Sequence, residues 1–171
     1  AVLTRWQQDL AHDSSGKFLY ARDTATGEIW SLSPAPVWPR YERYLCRHGL
    51  GYTCFDTTFG GIQAKWTLFC HTRDTIEFWR VELCNHGDRI RRLDLTALLE
   101  WNCGVAPAPR REFQKLFLET EFDLSRRTIY ARNHMWEVPS ARHGHWNADF
   151  PYVSAFGCTA PVVAAQGDKA A

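Results

Sequence analysis

The chain has 171 residues, with 20 Lys and Arg against 19 Asp and Glu, and a formal net charge of +1. So balanced a charge creates no long-range field that would gather nucleic acid or anionic lipid. Its length and 45% hydrophobic content suffice for one core and are short for two ordinary domains. No apolar run approaches the length of a membrane helix, and residues 1–10 lack a signal-peptide pattern. We expect one cytoplasmic domain with no nucleic-acid partner and no membrane partner.

The cysteines are irregularly spaced and include no C-x-x-C pair, at Cys46, Cys54, Cys70, Cys84, Cys103 and Cys158. A zinc site needs ligands at regular spacings, so the sequence predicts none. Most of these cysteines fall in strand-like stretches, where a reduced cysteine behaves as a small buried hydrophobe. We predict free thiols in a cytosolic protein.

Taken in chain order, the first predicted elements are two β-hairpins. They pair residues 17–20 with 29–32, and residues 51–55 with 62–69. In the second hairpin, apolar residues alternate with polar ones from Ile62 to Leu68, as in a strand with one buried face. Residues 56–61, which end in Gly60-Gly61, are predicted to form the intervening loop.

The next two alternating runs, 75–84 and 91–101, flank a turn at 85–88 and predict two adjacent antiparallel strands. Prolines make residues 105–111 a loop. Further strands are predicted at 113–122, 127–132, 152–156 and 160–164, with 133–150 as a long surface loop. Short strands at this spacing, with almost no helical periodicity, predict an all-β antiparallel β-sandwich.

Carboxylates are the first candidates for acid and base chemistry, and four lie near one another in sequence: Glu100, Glu119, Glu121 and Asp123. Strand alternation places Glu119 and Glu121 on one face, which suits a solvated face as well as a catalytic pair. His143 and His145, with His134 nearby, offer metal-ligand chemistry but keep no regular spacing to an acidic or cysteine ligand. We predict no metal site. No nucleophile elbow, P-loop or dinucleotide fingerprint occurs.

The sequence of residues 44–53, Tyr-Leu-Cys-Arg-His-Gly-Leu-Gly-Tyr-Thr, closely resembles a segment of cellobiose phosphorylases. Other stretches resemble the N-terminal region of the same family: residues 61–62, 79–86, 100–101, 113–115 and 132–134. Residues 3–6, 20–23 and 27–31 are also similar to the phosphorylase-like part of cyclic β-1,2-glucan synthases. Together the matches cover nearly the whole chain.

This resemblance to inverting cellobiose and cellobionate phosphorylases implies a large mutarotase-like supersandwich. Residues 1–171 would be an N-terminal domain, incomplete at its start and end, of a larger enzyme. The catalytic (α/α)6 barrel, which supplies the acid, is absent from this chain, so we expect no catalytic residue here and no activity in this part alone. The whole enzyme would use inorganic phosphate as co-substrate, need no cofactor, and release α-glucose 1-phosphate from cellobiose or cellobionic acid.

In that family the sandwich of one subunit of a homodimer contributes a Phe-Gln-Arg stretch to the acceptor-side sugar of its partner. Here the matching residues are Phe113, Gln114 and Lys115. The resemblance therefore implies acceptor-side roles for Gln114 and Lys115. Lysine is a compact point charge where arginine is a planar fork, and this substitution suggests a charged acceptor such as gluconate. The alternative to an acceptor-side role is that the Lys115 side chain points into solvent on a strand face.

His48 and Tyr52 lie in the best-matching run and are weaker candidates for substrate binding. Gly49 and Gly51 beside them favour a tight backbone crossing in which the motif serves packing.

Three functions remain open from the sequence. The first is the phosphorylase domain, which packs on its own barrel and shapes the acceptor pocket of a small disaccharide. The second is a non-catalytic carbohydrate-binding module, suggested by eight Trp and the aromatic stretch 136–146. The third is a purely structural dimerisation domain.

Overall fold

The computed structural model describes residues 2–4, 16–104, 116–134, 136–140, 144–148 and 150–167. Across these residues the chain forms β-strands and turns, with one short 3₁₀ turn at residues 116–117. Within the described ranges no helix is long and apolar enough to cross a membrane. The all-β prediction is confirmed.

The described strands, in chain order, are β1 (Val2–Thr4), β2 (Lys17–Asp23), β3 (Ile29–Ser31), β4 (Arg43–Gly49), β5 (Tyr52–Phe59), β6 (Ile62–Cys70), β7 (Glu77–Asn85), β8 (Leu93–Leu99), β9 (Trp101–Gly104), β10 (Leu118–Asp123), β11 (Thr128–Asn133), β12 (Trp136–Ser140), β13 (Gly144–Ala148) and β14 (Ser154–Gly157). They belong to two compact units. One comprises Ala11–Leu98, and the other comprises Ala1–Leu10 with Leu99–Ala171.

The unit Ala11–Leu98 is a sandwich of a three-stranded sheet, β3-β2-β8, and a four-stranded sheet, β4-β5-β6-β7. Its core joins buried side chains of both sheets: Leu19, Ala21, Trp30, Leu32, Ile62, Ala64 and Trp66. On β6 the buried residues fall at every second position, so one face of that strand meets the other sheet. Each large apolar side chain so buried stabilises the fold by about 1.5–3 kcal/mol.

The hairpin β5–β6 differs from the prediction in the length of its loop. Residues 56–59 continue β5, because Asp56 and Thr57 pair with Lys65 and Ala64 of β6. The turn is only Gly60-Gly61, with φ of 55° and 75°. Two residues at positive φ match the twist of a two-residue hairpin turn, and glycine reaches that region without a steric penalty.

The predicted pairing of the two strands after β6 is wrong. β7 pairs with β6, whereas β8 lies beside β2 in the other sheet, so the intervening residues carry the chain from one sheet to the other. Arg91 stabilises this crossing, because its guanidinium is hydrogen-bonded to the carboxylate of Asp23 and to the carbonyl oxygen of Gly60. Alternation predicted that both runs are strands, but alternation contains no information about the partner.

The second unit contains the sheets β1-β9, β10-β11-β14 and β12-β13. Its described core is small: Cys103, Ala131 and Phe150 are buried, with Trp101 and Leu118 packed against them. The predicted surface loop at 133–150 is wrong over the described residues, since β12 and β13 form an antiparallel hairpin there. Pro139 lies in β12, in a described sheet of only two strands, where proline is tolerated because each strand is an edge. The lack of periodicity in residues 133–150 gave no signal for this hairpin. Residues 160–164, predicted as a strand, form none.

Candidate functional site

Gln114 and Lys115, the residues implied to approach the acceptor sugar, lie outside the described residues. Their proposed roles therefore stay predictions that rest on the resemblance alone. The described residues nearest in sequence begin at the 3₁₀ turn, residues 116–117.

Tyr52 lies at the tip of the β4–β5 hairpin, directly opposite Gly49. A Cβ atom at Gly49 would meet the Tyr52 ring at 2.1 Å, so the ring covers the Gly49 backbone. Gly51, in the turn, has a φ of 82°. These glycines thus serve a close aromatic packing and a tight turn, as the packing alternative predicted. A ligand role for Tyr52, which is 44% exposed, stays a prediction.

His48 makes its hydrogen bonds within the same hairpin. Its Nδ1 is 3.0 Å from Thr53 Oγ1, and its Nε2 is 3.5 Å from Cys46 Sγ. Because both ring nitrogens have local partners, the geometry gives His48 a structural role. A ligand role for His48 stays a prediction.

The segment before this hairpin is anchored by Tyr41. The Tyr41 hydroxyl is 2.8 Å from the carbonyl oxygens of Ser31 and Ser33, and its ring stacks on Tyr44 at 5.7 Å. Burial raises the pKa of Tyr41 to about 12, so this hydroxyl stays protonated over the physiological range. The contacts tie the start of β4 to the end of β3.

Two of the acidic candidates, Glu119 and Asp123, make local contacts in the second unit. Glu119 Oε2 is 2.9 Å from His134 Nε2, and this hydrogen bond lowers the pKa of Glu119 below its usual value. The Asp123 carboxylate accepts hydrogen bonds from the Ser125 hydroxyl and the Arg126 amide, which lower its pKa. A carboxylate held ionised in this way is a poor general acid.

The histidines do not converge on a ligand set in the part of the chain that the structure describes. His134 pairs with Glu119, and His143 lies outside the described residues. No group of three or more His, Cys, Asp or Glu side chains occurs there in a geometry that would hold a metal ion. All six cysteines lie in described ranges, and each is free.

Sequence reasoning missed a polar surface on the four-stranded sheet. We call the face turned away from the β3-β2-β8 sheet the outer face. The strand register arranges it in four rows across β4, β5, β6 and β7. The first row is Arg43, Thr58, Gln63 and Cys84, and the second row is Leu45, Asp56, Lys65 and Glu82. The third row is Arg47, Cys54, Thr67 and Arg80, and the last row is Gly49, Tyr52, Phe69 and Phe78.

Asp56 lies at the centre of this face and is only 3% exposed. Its Oδ1 accepts a 2.8 Å hydrogen bond from Gln63 Nε2, and Gln63 Oε1 is 3.1 Å from His86 Nε2. The Oδ2 atom is 3.5 Å from Arg43 and 3.7 Å from Arg47. A buried carboxylate needs such partners. The signal in the sequence is that Phe55, Thr57 and Phe59 keep the two-residue period of a strand up to the Gly60-Gly61 turn.

Comparison with known proteins gives a family. A profile described as "Glycosyl hydrolase 94, supersandwich domain" matches residues 1–169. The solabiose phosphorylase of Paenibacillus borealis is 33% identical over 124 residues, which are 72% of this chain and 16% of that protein.

Two further relatives have similar identities. The N,N'-diacetylchitobiose phosphorylase of Vibrio proteolyticus is 31% identical over 58% of this chain and 13% of its own length. The cyclic beta-(1,2)-glucan synthase NdvB of Rhizobium meliloti (strain 1021) is 31% identical over 70% of this chain and 4% of its own length. The match to each relative thus covers a small part of that relative's length.

Proposed function

Because the chain belongs to the glycosyl hydrolase 94 supersandwich domain family, we propose that it is the N-terminal sandwich of a cytoplasmic, homodimeric glycoside phosphorylase. The whole enzyme would catalyse inverting, reversible phosphorolysis of cellobiose or cellobionic acid to α-glucose 1-phosphate. The observation that carries the proposal is the family match over residues 1–169, supported by the phosphorylases among the relatives.

In the proposed reaction, phosphate attacks the anomeric carbon from the face opposite the scissile bond. An acid in the barrel protonates the leaving sugar oxygen. In this proposal the chain described here supplies neither the attacking group, which is phosphate, nor the acid. The candidates Glu119 and Asp123 agree with this division, because each is held ionised by local hydrogen bonds.

We assign acceptor-side contacts to Gln114 and Lys115. A glutamine amide both donates and accepts hydrogen bonds, which suits a sugar hydroxyl. A lysine ammonium attracts a carboxylate without needing bidentate geometry. This pair favours cellobionic acid, whose acceptor-side unit carries a carboxylate, over cellobiose.

The test of the activity is phosphate release from α-glucose 1-phosphate with glucose or gluconate as acceptor. The 171-residue chain is assayed beside the complete polypeptide. Turnover only in the complete polypeptide supports the proposal, and turnover in the short chain contradicts it. Formation of cyclic β-1,2-linked products instead of disaccharides would replace the phosphorylase by a glucan synthase, the activity named for one relative.

The test of the acceptor role is Lys115→Ala in the complete enzyme, with Lys115→Arg as the conservative variant. Lys115→Ala should raise KM for gluconate about tenfold, the loss of one charge-assisted contact, with little change for the donor. An equal change in both KM values would contradict a specific acceptor contact. Unaltered kinetics with altered dimerisation would support the purely structural function.

A further inference from the structure

The last row of the outer face is aromatic and exposed. Tyr52, Phe69 and Phe78 are 44%, 37% and 42% exposed, and they occupy directly opposed positions on β5, β6 and β7. The Phe69 and Phe78 rings lie 5.2 Å apart with an interplanar angle of 25°. The last row thus carries three exposed aromatic side chains, and the stacked Phe69–Phe78 pair offers an apolar platform to the C–H face of a sugar ring.

The rows beside this platform carry an excess of positive charge. The outer face has four cations, Arg43, Arg47, Lys65 and Arg80, and two anions, Asp56 and Glu82, so four minus two leaves a net charge of +2. Glu82 pairs with Arg80 at 3.3 Å, and the single carboxylate of Asp56 is shared by Arg43 and Arg47.

One consequence is that cationic groups remain available for a ligand. Among the described side chains Lys65 makes no ion pair, and Arg43 and Arg47 approach Asp56 only at 3.5 and 3.7 Å while about half exposed. These are long contacts for charge-assisted hydrogen bonds. The Lys65 ammonium, and the guanidinium donors that Arg47 does not direct at Asp56, can therefore bind a second anion.

That anion would lie over Cys54, whose side chain is shorter than those of its charged neighbours. Cys54 lies directly between Arg47 and Thr67 in the third row, and Lys65 is in the row beside it. Cross-strand neighbours are about 4.8 Å apart, and same-face neighbours along a strand about 6.8 Å apart. An anion over Cys54 is thus about one sugar ring away from the aromatic row. Next to Lys65 an open depression of ≈ 170 Å³ is lined by Gln63, Lys65, Glu82, Leu83 and Cys84.

We propose that the outer face binds an anionic saccharide, with its sugar ring against Phe69 and Phe78 and its carboxylate or phosphate between Arg47 and Lys65. Charge complementarity selects an anionic ligand over a neutral one. The exposed rings select a saccharide over a bare anion, because hydroxyl groups on the sugar edge reach the neighbouring polar row while the ring's C–H face covers apolar surface. The proposal does not depend on the phosphorylase activity.

The test is a calorimetric or NMR titration at low ionic strength with five probes. Gluconate and cellobionate carry a carboxylate, α-glucose 1-phosphate carries a phosphate, cellobiose is neutral, and inorganic phosphate has no ring. Either type of anionic saccharide should bind about tenfold more tightly than cellobiose, which is the contribution of one charge-assisted contact. The ranking of cellobionate and α-glucose 1-phosphate identifies which anion the face prefers.

Variants locate the site. Lys65→Met and Phe78→Ala should each weaken binding several-fold, and Lys65→Arg should retain it. Arg73→Ala, which removes an exposed cation after β6, is the matched control and should leave affinity unchanged. Thermal unfolding of each variant separates lost binding from lost folding.

Three results would overturn the proposal. They are equal affinity for cellobiose and cellobionate, binding of inorganic phosphate as tight as that of α-glucose 1-phosphate, and no saturable binding at about 10 mM of any probe. The last result would favour contact of this face with a protein surface instead of a saccharide. Because none of these titrations measures phosphorolysis, their failure leaves the proposed enzymatic function untouched.

Discussion

The two faces of the four-stranded sheet are made by the same four strands and have opposite chemistry. On β6 the even-numbered residues Ile62, Ala64 and Trp66 are buried in the core, whereas Lys65 and Phe69, between and beyond them, are exposed. Packing against the facing sheet determines the inner face, whereas Lys65, Phe69 and Phe78 of the outer face are exposed. Apart from the buried Asp56 and its partners, residue type on the outer face is less constrained by folding, and this makes its exposed charged and aromatic residues informative about binding.

The largest expected effect comes from the inner face. Trp66 is 2% exposed and contacts Phe55 and Trp79 at ring-centroid distances of 5.6 and 5.1 Å. Trp66→Ala should lower the free energy of unfolding by about 3–5 kcal/mol through cavity formation, as measured by urea denaturation. Trp66→Phe should cost much less, since the buried indole Nε1 has no hydrogen-bond partner among the described residues. Equal losses in both variants would contradict this packing.

The next effect concerns a buried carboxylate in the facing sheet. Asp23 is 0% exposed; its carboxylate accepts a hydrogen bond from the Ala25 amide and pairs with Arg91. These partners, the amide first, lower its pKa below the ordinary 3.8. The stabilisation is thus fully present above pH 3.8 and is lost as pH falls toward the lower folded-state pKa.

Asp23→Asn should destabilise the chain at neutral pH and flatten its acid denaturation profile. Thermal unfolding as a function of pH measures both. Parallel profiles for the parent chain and the variant would show that Asp23 contributes nothing to the acid transition.

A smaller effect is expected at the hairpin tip, where the outer face ends. Gly49→Ala places a methyl group against the Tyr52 ring and should cost about 1–3 kcal/mol, as overpacking does. The double variant Gly49→Ala with Tyr52→Ala should recover part of this loss, because the clash is removed. Additive losses in the double variant would mean that the ring does not lie over Gly49.

The smallest effect sharpens the contrast between the faces. Lys65→Met, one residue from Trp66 in sequence, should change stability by no more than about 0.5 kcal/mol, since Lys65 is exposed and makes no described ion pair. A loss comparable with that of Trp66→Ala would show that the outer face is also determined by folding, and would remove the reason for reading its charges as ligand contacts.

Local patterns predicted local structure well and long-range structure poorly. The alternation from Ile62 to Leu68 correctly predicted a half-buried strand, and the Gly60-Gly61 pair correctly predicted a turn. The location of β8 beside β2 depends on contacts such as Arg91 with Asp23, which link residues 68 positions apart and leave no periodic signal.

For the candidate site, too, local features could be predicted from the sequence and long-range contacts could not. The resemblance pointed to residues 44–53, and the glycines there indicated close packing, which the structure shows as the Tyr52 ring over Gly49 rather than as a backbone crossing. Because residues 56–61 are predicted as a loop, the sequence does not predict which side chains lie beside Asp56 on the neighbouring strands. Register alone brings Leu45, Asp56, Lys65 and Glu82 into one row, and register is set by the whole sheet.

The unpaired cysteines of the four-stranded sheet are divided between its two faces. Cys54 and Cys84 belong to the outer face, while Cys46 and Cys70 point to the opposite side. The unmodified chain thus already carries a pair of chemical footprinting probes and a pair of internal references. A bound molecule on the outer face should slow alkylation of Cys54 while leaving Cys70 unaffected, so mass spectrometry can map occupancy without introducing a label.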